Sequence, residues 1–463
     1  MMQTIEPSDL TAALAAWVSA PDSSLPADLE HQARRLLLDY LCAAIVGSQT
    51  PAARAVLDLA GENYAGDDAM VIGGGRLSPA GAALVNGTAA HGFELDDGYT
   101  PGSSHPSAPV VSAALAVGQA VGADSADILR AIVVGVEVAA RIAAAGHPST
   151  WRRGFHNTPL AGVFGAAAAC AVLRGLSAEQ TASAFGVAAC HAGGLFAFLQ
   201  SGAEVKRVHA GKAARDGLLS VEMARRGLTG PPEIFDSVPG YFSAFAGDAY
   251  DGSRLVDGLG EQWAALNTYV KPYPCCRHLH GPIDCVLAAL EAGQLHVPAI
   301  DAVEVMTYEV ASHHAGIEVG TVLEAQLSIP YAVAVTLLRG SPGLREFTPE
   351  VWQDPRVREL AGRVRVRSDE ALTSRYPAER PAEVLIRQRG APALRFAVAQ
   401  PLGEPSNPMT DAQLGVKFTT LTRDILRPAG VDPDAVVDSA LGTGSVGDVL
   451  GLLRGYAHTR AAS

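Results

Sequence analysis

The stretch Leu29-Glu-His-Gln-Ala33-Arg-Arg-Leu36-Leu37-Leu-Asp-Tyr40-Leu41-Cys-Ala-Ala44-Ile45-Val-Gly47 decides the fold class. Its apolar residues Leu29, Ala33, Leu36, Leu37, Tyr40, Leu41, Ala44 and Ile45 recur at i, i+3/i+4, i+7, the period of a helix with one buried face, and stop at a glycine. The same signal dominates from Leu10 to about Ala264. Ser78-Pro79 opens another helix, and Gly122 closes one that begins after Pro109.

The period changes between about Lys271 and Gln400. Val303-Glu-Val-Met-Thr-Tyr, Val364-Arg-Val-Arg and Glu383-Val-Leu-Ile-Arg alternate as half-buried strands do, and Leu385 to Val398 reads as a hairpin around Arg389-Gly390-Ala391-Pro392. Helical spacing returns after Pro282 and after Ser328-Ile-Pro330. Beyond Asn407-Pro408, Thr410 caps a helix, and helical character continues. The expectation is a mainly α chain with a smaller α+β domain: residues 1–265 and 405–463 form one discontinuous helical domain, and residues 266–404 the α+β domain.

At 463 residues, 48% of them hydrophobic and 18% charged, the chain can bury an enclosed site and does not read as disordered. A net charge of -13 with no basic run argues against a nucleic-acid surface. No basic region precedes the first apolar stretch, and Glu6 and Asp9 stand where a secretion signal carries Lys or Arg. The Ala-rich run Pro159 to Leu173 is too short to span a bilayer, and Ile128 to Ala145 is broken by Arg130, Glu137 and Arg141, so no membrane span is expected. Six scattered cysteines fit a reduced, cytoplasmic protein.

Three segments carry chemistry. In His91-Gly-Phe-Glu-Leu-Asp-Asp-Gly-Tyr-Thr-Pro-Gly-Ser-Ser-His105-Pro, a helix ends in acids and gives way to a loop. Glu94, Asp96, Asp97 and His105 there supply a carboxylate and an imidazole, the pair that removes one proton and delivers another. The same residues also read as capping groups at helix ends. The segment Gly202-Ala-Glu-Val-Lys206-Arg-Val-His209-Ala-Gly-Lys212 holds two of the only four lysines, the others being Lys271 and Lys417. A compact ammonium can bind a carboxylate or carry a proton; a solvated basic helix turn is the alternative. In Lys271-Pro-Tyr-Pro-Cys-Cys276-Arg277-His278-Leu-His280-Gly-Pro, a rigid turn presents cations and histidines where the helical pattern yields to the mixed one. It reads equally as an ordered linker.

Other motifs fail. Gly442-Thr-Gly444-Ser-Val-Gly447 spells a dinucleotide fingerprint but lacks the rest of a βαβ unit. Cys275, Cys276 and Cys285 lack iron-sulfur spacing. His313-His314, or His91 with Asp96 and His105, could bind metal, but no metal is expected.

These three segments in this order resemble the MmgE/PrpD family of 2-methylcitrate dehydratases, cis-aconitate decarboxylases and an iminodisuccinate epimerase. Further matches are Gly154-Phe-His156-Asn-Thr, Thr229-Gly-Pro231, Gly240-Tyr-Phe-Ser-Ala-Phe, Ser328-Ile-Pro-Tyr-Ala-Val and Glu404-Pro-Ser-Asn-Pro-Met-Thr-Asp. The resemblance implies a helical domain built from both ends of the chain, an α+β lid, a homodimer, a site in the cleft between domains, and no cofactor. It maps catalytic positions onto Glu94, His105 and Lys206 and pocket positions onto Lys271 and His156; with the reading of the residues themselves, Asp96 joins the catalytic set and Arg277, Cys276 and His280 join the substrate-binding set. Four departures stand out: Gly98 where decarboxylase-like members have Thr, Cys276 where they have His, Glu94 for the usual Asp, and Gln326 for the Lys of a Glu-Ala-Lys motif.

The implied activity is cofactor-independent proton transfer next to a carboxylate on a small hydroxy di- or tricarboxylate. Dehydration comes first, decarboxylation and epimerisation are variants, and a metal-dependent hydrolase or a non-catalytic homologue is the reading from another class.

Overall fold

The computed structural model describes residues 10–20, 24–200 and 203–458. The reading of the N-terminus that rests on Glu6 and Asp9 lies outside them, as does Gly202. The chain is mainly helical with a smaller α+β part. It divides into two compact units: the described residues of Met1–Tyr269 with Asp411–Ser463, and Val270–Thr410.

Ten helices lead the first unit: α1 (Leu10–Val18), α2 (Ala27–Gly47), α3 (Pro51–Asn63), α4 (Pro79–Ala90), α5 (Ser107–Val121), α6 (Ser125–Gly146), α7 (Ser149–Arg152), α8 (Asn157–Arg174), α9 (Ala178–His191) and α10 (Val205–Arg225). Local chemistry sets their ends. Thr50 accepts from the Ala53 N–H with Pro51 in the first turn of α3, Asp124 caps α6, and Ser177 with Gln180 makes a capping box for α9. Gly122 closes α5 with φ 66. Helix α5 begins at Ser107, two residues before Pro109, because first-turn N–H groups have no intrahelical partner and a proline there costs nothing.

Every apolar residue of the quoted α2 pattern is buried, each Leu or Ile contributing about 1.5–3 kcal/mol. Two of the charges that interrupt α6 are neutralised inside, where Glu137 accepts from Arg141 at 2.5 Å and Arg141 also donates to the carbonyls of Asp257 and Gln262, while Arg130 lies nearer the surface and donates to the Ala20 carbonyl. Among the described residues, no single helix is long and apolar enough to cross a membrane; only the pair α2 and α3, bent by 90°, passes on length and composition. Helix α10 packs against α4 so closely that a β-carbon on Gly211 would stand 2.1 Å from the Leu84 carbonyl oxygen. This contact sets the N-terminal turns of α10 near the end of α4, where the first chemical segment begins. The helix Asp411–Leu426 returns to pack on α2.

A short antiparallel pair, β1 (Ala69–Val71) and β2 (Gly75–Leu77), completes the first unit. The second unit carries the sheet β4-β3-β5-β6, from β3 (Ile300–Thr307), β4 (Val364–Ser368), β5 (Ala382–Gln388) and β6 (Leu394–Val398). β3 and β4 are parallel, which requires the long helical crossover between them; the other pairs are antiparallel. Val303 stands opposite Ile386 and Val305 opposite Val384, all buried, so one face of the sheet is apolar. Helix His280–Glu291 covers β5 and β6, and helix Ile329–Arg339 packs on β4. The glycine motif at 442–447 joins two helices, its last two residues opening the second, whose start Ser445 and Asp448 box.

Candidate active site

His91 follows α4 as its C-cap, and the loop from there to Pro106 is pinned at several points. Asp97 accepts from the Ser107 N–H at 3.1 Å and the Ser107 hydroxyl at 2.8 Å, anchoring the first turn of α5. Burial pushes the Asp97 carboxyl up to about 8 against those two donors, with Asp96 and Asp39 adding to the rise. Asp97 therefore does the capping work that the sequence allowed for either acid. Glu94 sits at φ 57, a conformation that non-glycine residues rarely adopt and that often marks a functional loop.

Asp96 lies between two imidazoles. Its Oδ2 is 2.6 Å from His91 Nδ1 and 3.6 Å from His105 Nδ1. His105 Nδ1 is also 2.6 Å from the Asp97 carbonyl oxygen. A carbonyl can only accept, so the neutral ring carries its proton on Nδ1, and Nε2 is the basic nitrogen. The Asp96 carboxylate stabilises the imidazolium once Nε2 gains a proton. His105 is the accessible member of the set, its side chain 15% exposed against 1% for His91 and 3% for Asp96.

Two more histidines extend the cluster. His156, the N-cap of α8, stacks on His91 with ring centroids 5.6 Å apart, and its Nδ1 lies 3.0 Å from Nδ1 of His209 on α10. One ring must donate and the other accept. Burial, reinforced by His91 and the neighbouring rings, lowers His156 well below the usual range; burial with His91, Lys206 and Lys212 lowers His209 to about 4. Both rings are neutral near pH 7. Phe198 packs against both, and the Lys206 ammonium stands 6.0 Å from its ring. Lys206, in the first turn of α10, is ion-paired with Glu94.

Helix packing thus gathers Glu94, Asp96, His105, His156 and Lys206 in the first unit together with His91 and His209. The sequence reading did not single out His209 as a site residue. Its signal was spacing, since it follows Lys206 by one helical turn and shares its face.

Gly98 has a steric cause. A β-carbon at this position would stand 2.2 Å from Cζ and Oη of Tyr269, which pairs backbone to backbone with Gly98. The Tyr269 phenol fills the volume that a side chain at position 98 would need.

The remaining predicted residues belong to the second unit. Arg277 is 4% exposed; it donates to Glu404 at 2.8 Å, to the Leu402 carbonyl at 3.0 Å and to His280 Nδ1 at 2.9 Å. His280 then donates from Nε2 to the Cys275 carbonyl at 3.3 Å. Both act as buried braces in this arrangement. Lys271 is buried, and Gln326 is buried with its amide donating to the Pro274 carbonyl. Cys276 is part-exposed beside His278 and His314.

The chain belongs to the MmgE/PrpD family: residues 12–252 match the MmgE/PrpD N-terminal domain and residues 273–442 the MmgE/PrpD C-terminal domain. It is 31% identical to a cis-aconitate decarboxylase-like protein, oryM, of Aspergillus oryzae, over 90% of this chain and 91% of that one. It is 27% identical to a cis-aconitate decarboxylase of Aspergillus terreus, over 96% and 95% of the two chains. With the cis-aconitate decarboxylase of Homo sapiens the identity is 26%, over 72% and 71%.

Proposed function

We propose that this chain is a lyase acting on a small polycarboxylate by proton transfer next to a carboxylate, and that its reaction is decarboxylation of an unsaturated tricarboxylate of the cis-aconitate kind. The observation that carries the reading is the His105 ring, tied at Nδ1 to the Asp97 carbonyl, facing Asp96, and accessible where its neighbours are buried. The names of the relatives favour decarboxylation over the dehydration that sequence alone put first.

The chemistry follows from charge. Loss of carbon dioxide from a β,γ-unsaturated carboxylate leaves an electron pair that shifts the double bond and demands a proton at the carbon next to a remaining carboxylate. His105 as imidazolium supplies it from Nε2, and Asp96 stabilises the charged ring beforehand. Charge building on the substrate carboxylate needs a cation, and Lys206 provides one when a substrate carboxylate competes with Glu94 for the ammonium. The neutral His156 and His209 pair adds no positive charge of its own at neutral pH.

The test is proton and carbon NMR in deuterated water with cis-aconitate and a panel of hydroxy polycarboxylates. Release of carbon dioxide with one deuterium at the carbon beside a carboxylate is expected. Water loss from a hydroxy acid without carbon dioxide would move the reading to dehydration, and no turnover or exchange with any member would overturn it. Activity is expected to survive exhaustive chelation; loss with EDTA and recovery with one divalent metal would favour the hydrolase reading.

A further inference from the structure

Cys276 in the second unit carries features that the proposed reaction leaves unused. Its Sγ lies 4.0 Å from Nε2 of His314. His314 Nδ1 is 3.1 Å from the Leu327 carbonyl oxygen, which can only accept, so the ring proton sits on Nδ1 and the basic Nε2 faces the thiol. The preceding residue, Gln326, accepts from the Cys276 backbone N–H at 2.9 Å. Two consecutive carbonyls thus hold nucleophile and base in register, with the base oriented by a third group.

His278 lies beside them, its Nδ1 2.6 Å from the Tyr308 hydroxyl and its ring stacked on His314 at 5.3 Å and 24°. Cys276, His278 and His314 bring ligand-type atoms within 4.8 Å of one another. Stacked, nearly parallel rings set their in-plane lone pairs side by side instead of on one point, so the arrangement is a thiol with its base, not a metal cage.

We propose that Cys276, paired with His314, is a covalent capture site for α,β-unsaturated carboxylates. Burial alone would push the thiol up, but His314, the His278 backbone N–H and the Lys271 ammonium bring it down to about 6. The step balances without an oxidant. His314 takes the thiol proton, sulfur bonds to the β-carbon as the π pair moves to the α-carbon, and the α-carbon takes the proton back from Nε2. The choice of unsaturated carboxylates rests on the reaction proposed above; the nucleophile rests on the second unit alone.

Limiting iodoacetamide, with peptide mass spectrometry of all six cysteines, tests the nucleophile in the intact chain. Exposure alone selects Cys190, the one exposed cysteine, whereas the pair selects Cys276. Cys276 is expected to react at least ~10-fold faster than Cys190, and His314→Gln to erase that advantage while the Cys190 rate stays put. Should His314→Gln fail to fold, the wild-type ratio decides alone: Cys190 reacting first overturns the proposal. A second arm uses monomethyl fumarate, which carries one carboxylate, against neutral dimethyl fumarate. With each rate divided by that ester's rate with free glutathione, an adduct on Cys276 that favours the anionic ester is expected. Iodoacetamide labelling without any fumarate adduct would overturn the carboxylate class. His105→Ala, which removes the proposed turnover, should leave all labelling unchanged, so failure of one reading is told from failure of the other.

Discussion

Lys417, in the helix Asp411–Leu426, is ion-paired with Asp39 of α2, the two side chains 2% and 1% exposed. The same ammonium donates to the Leu95 carbonyl at 3.3 Å, one residue before Asp96. Lys417→Met removes the cation and leaves a buried carboxylate behind, which should cost about 3–5 kcal/mol in urea unfolding and lower turnover as well. Adding Asp39→Leu should recover most of the stability. A single variant as stable as wild type would show the pair to be dispensable.

His105→Ala should reduce turnover by roughly 10²- to 10⁴-fold with little change in melting temperature. The ring is part-exposed, so its loss opens little core. An unchanged rate would return His105 to the role of a capping neighbour.

Lys206→Met should reduce kcat and kcat/KM together if the ammonium stabilises charge that develops only in the transition state. Damage confined to KM would mean that it grips a ground-state carboxylate. Lys206→Arg should rescue binding but not rate, because a broad guanidinium cannot settle against Glu94 as an ammonium does. Full activity in both variants would remove Lys206 from the site.

Gly98→Thr should be poorly tolerated, lowering the melting temperature clearly, because its β-carbon collides with the Tyr269 ring. Tyr269→Ala in the same chain should relieve that loss. Equal melting temperatures for wild type and Gly98→Thr would mean that the ring moves aside without cost.

The buried ionisable groups give stability a definite pH dependence. Unfolded histidines take up a proton near about 6.5, whereas folded His209 does so near 4, and burial holds folded His156 well below the usual range. Between those values the unfolded chain binds more protons, so this contribution is full above the unfolded value and is lost as pH falls toward 4. Asp97 runs the other way: held up to about 8, it keeps its proton in the folded state, so stability declines as pH rises toward 8 and then levels. Urea midpoints across pH should show both limbs. Asp97→Asn should flatten the alkaline one, and His209→Gln should weaken the acid one. A midpoint that does not move with pH would contradict both assignments.

What could be read from sequence was local. The α2 stripe, the strand alternation at Val303 and Glu383, and the acid-rich loop after His91 are written in neighbouring residues. Glycine at 98 was visible as a departure, but its cause, the ring of Tyr269, lies far along the chain. The His156 to His209 contact joins residues 53 apart, and the Lys206 pairing with Glu94 joins residues 112 apart. Both are set by how α4, α8 and α10 pack, which no local period encodes. Arg277 read as a pocket cation because its partner Glu404 is 127 positions away.

The two-segment construction of the helical unit also has a consequence in time. Asp39 leaves the ribosome 378 positions ahead of Lys417, and Arg35 emerges 376 ahead of its partner Asp411. At about 5–20 residues per second, that is a wait of roughly 20 to 80 s in which α2 exists without its counter-charges. The segment that holds Asp96 in place therefore emerges well after the loop it secures. A chain stopped short of residue 411 would retain every proposed site residue while lacking the ammonium that secures their loop, and supplying the missing helix in trans is a direct way to watch that late assembly step.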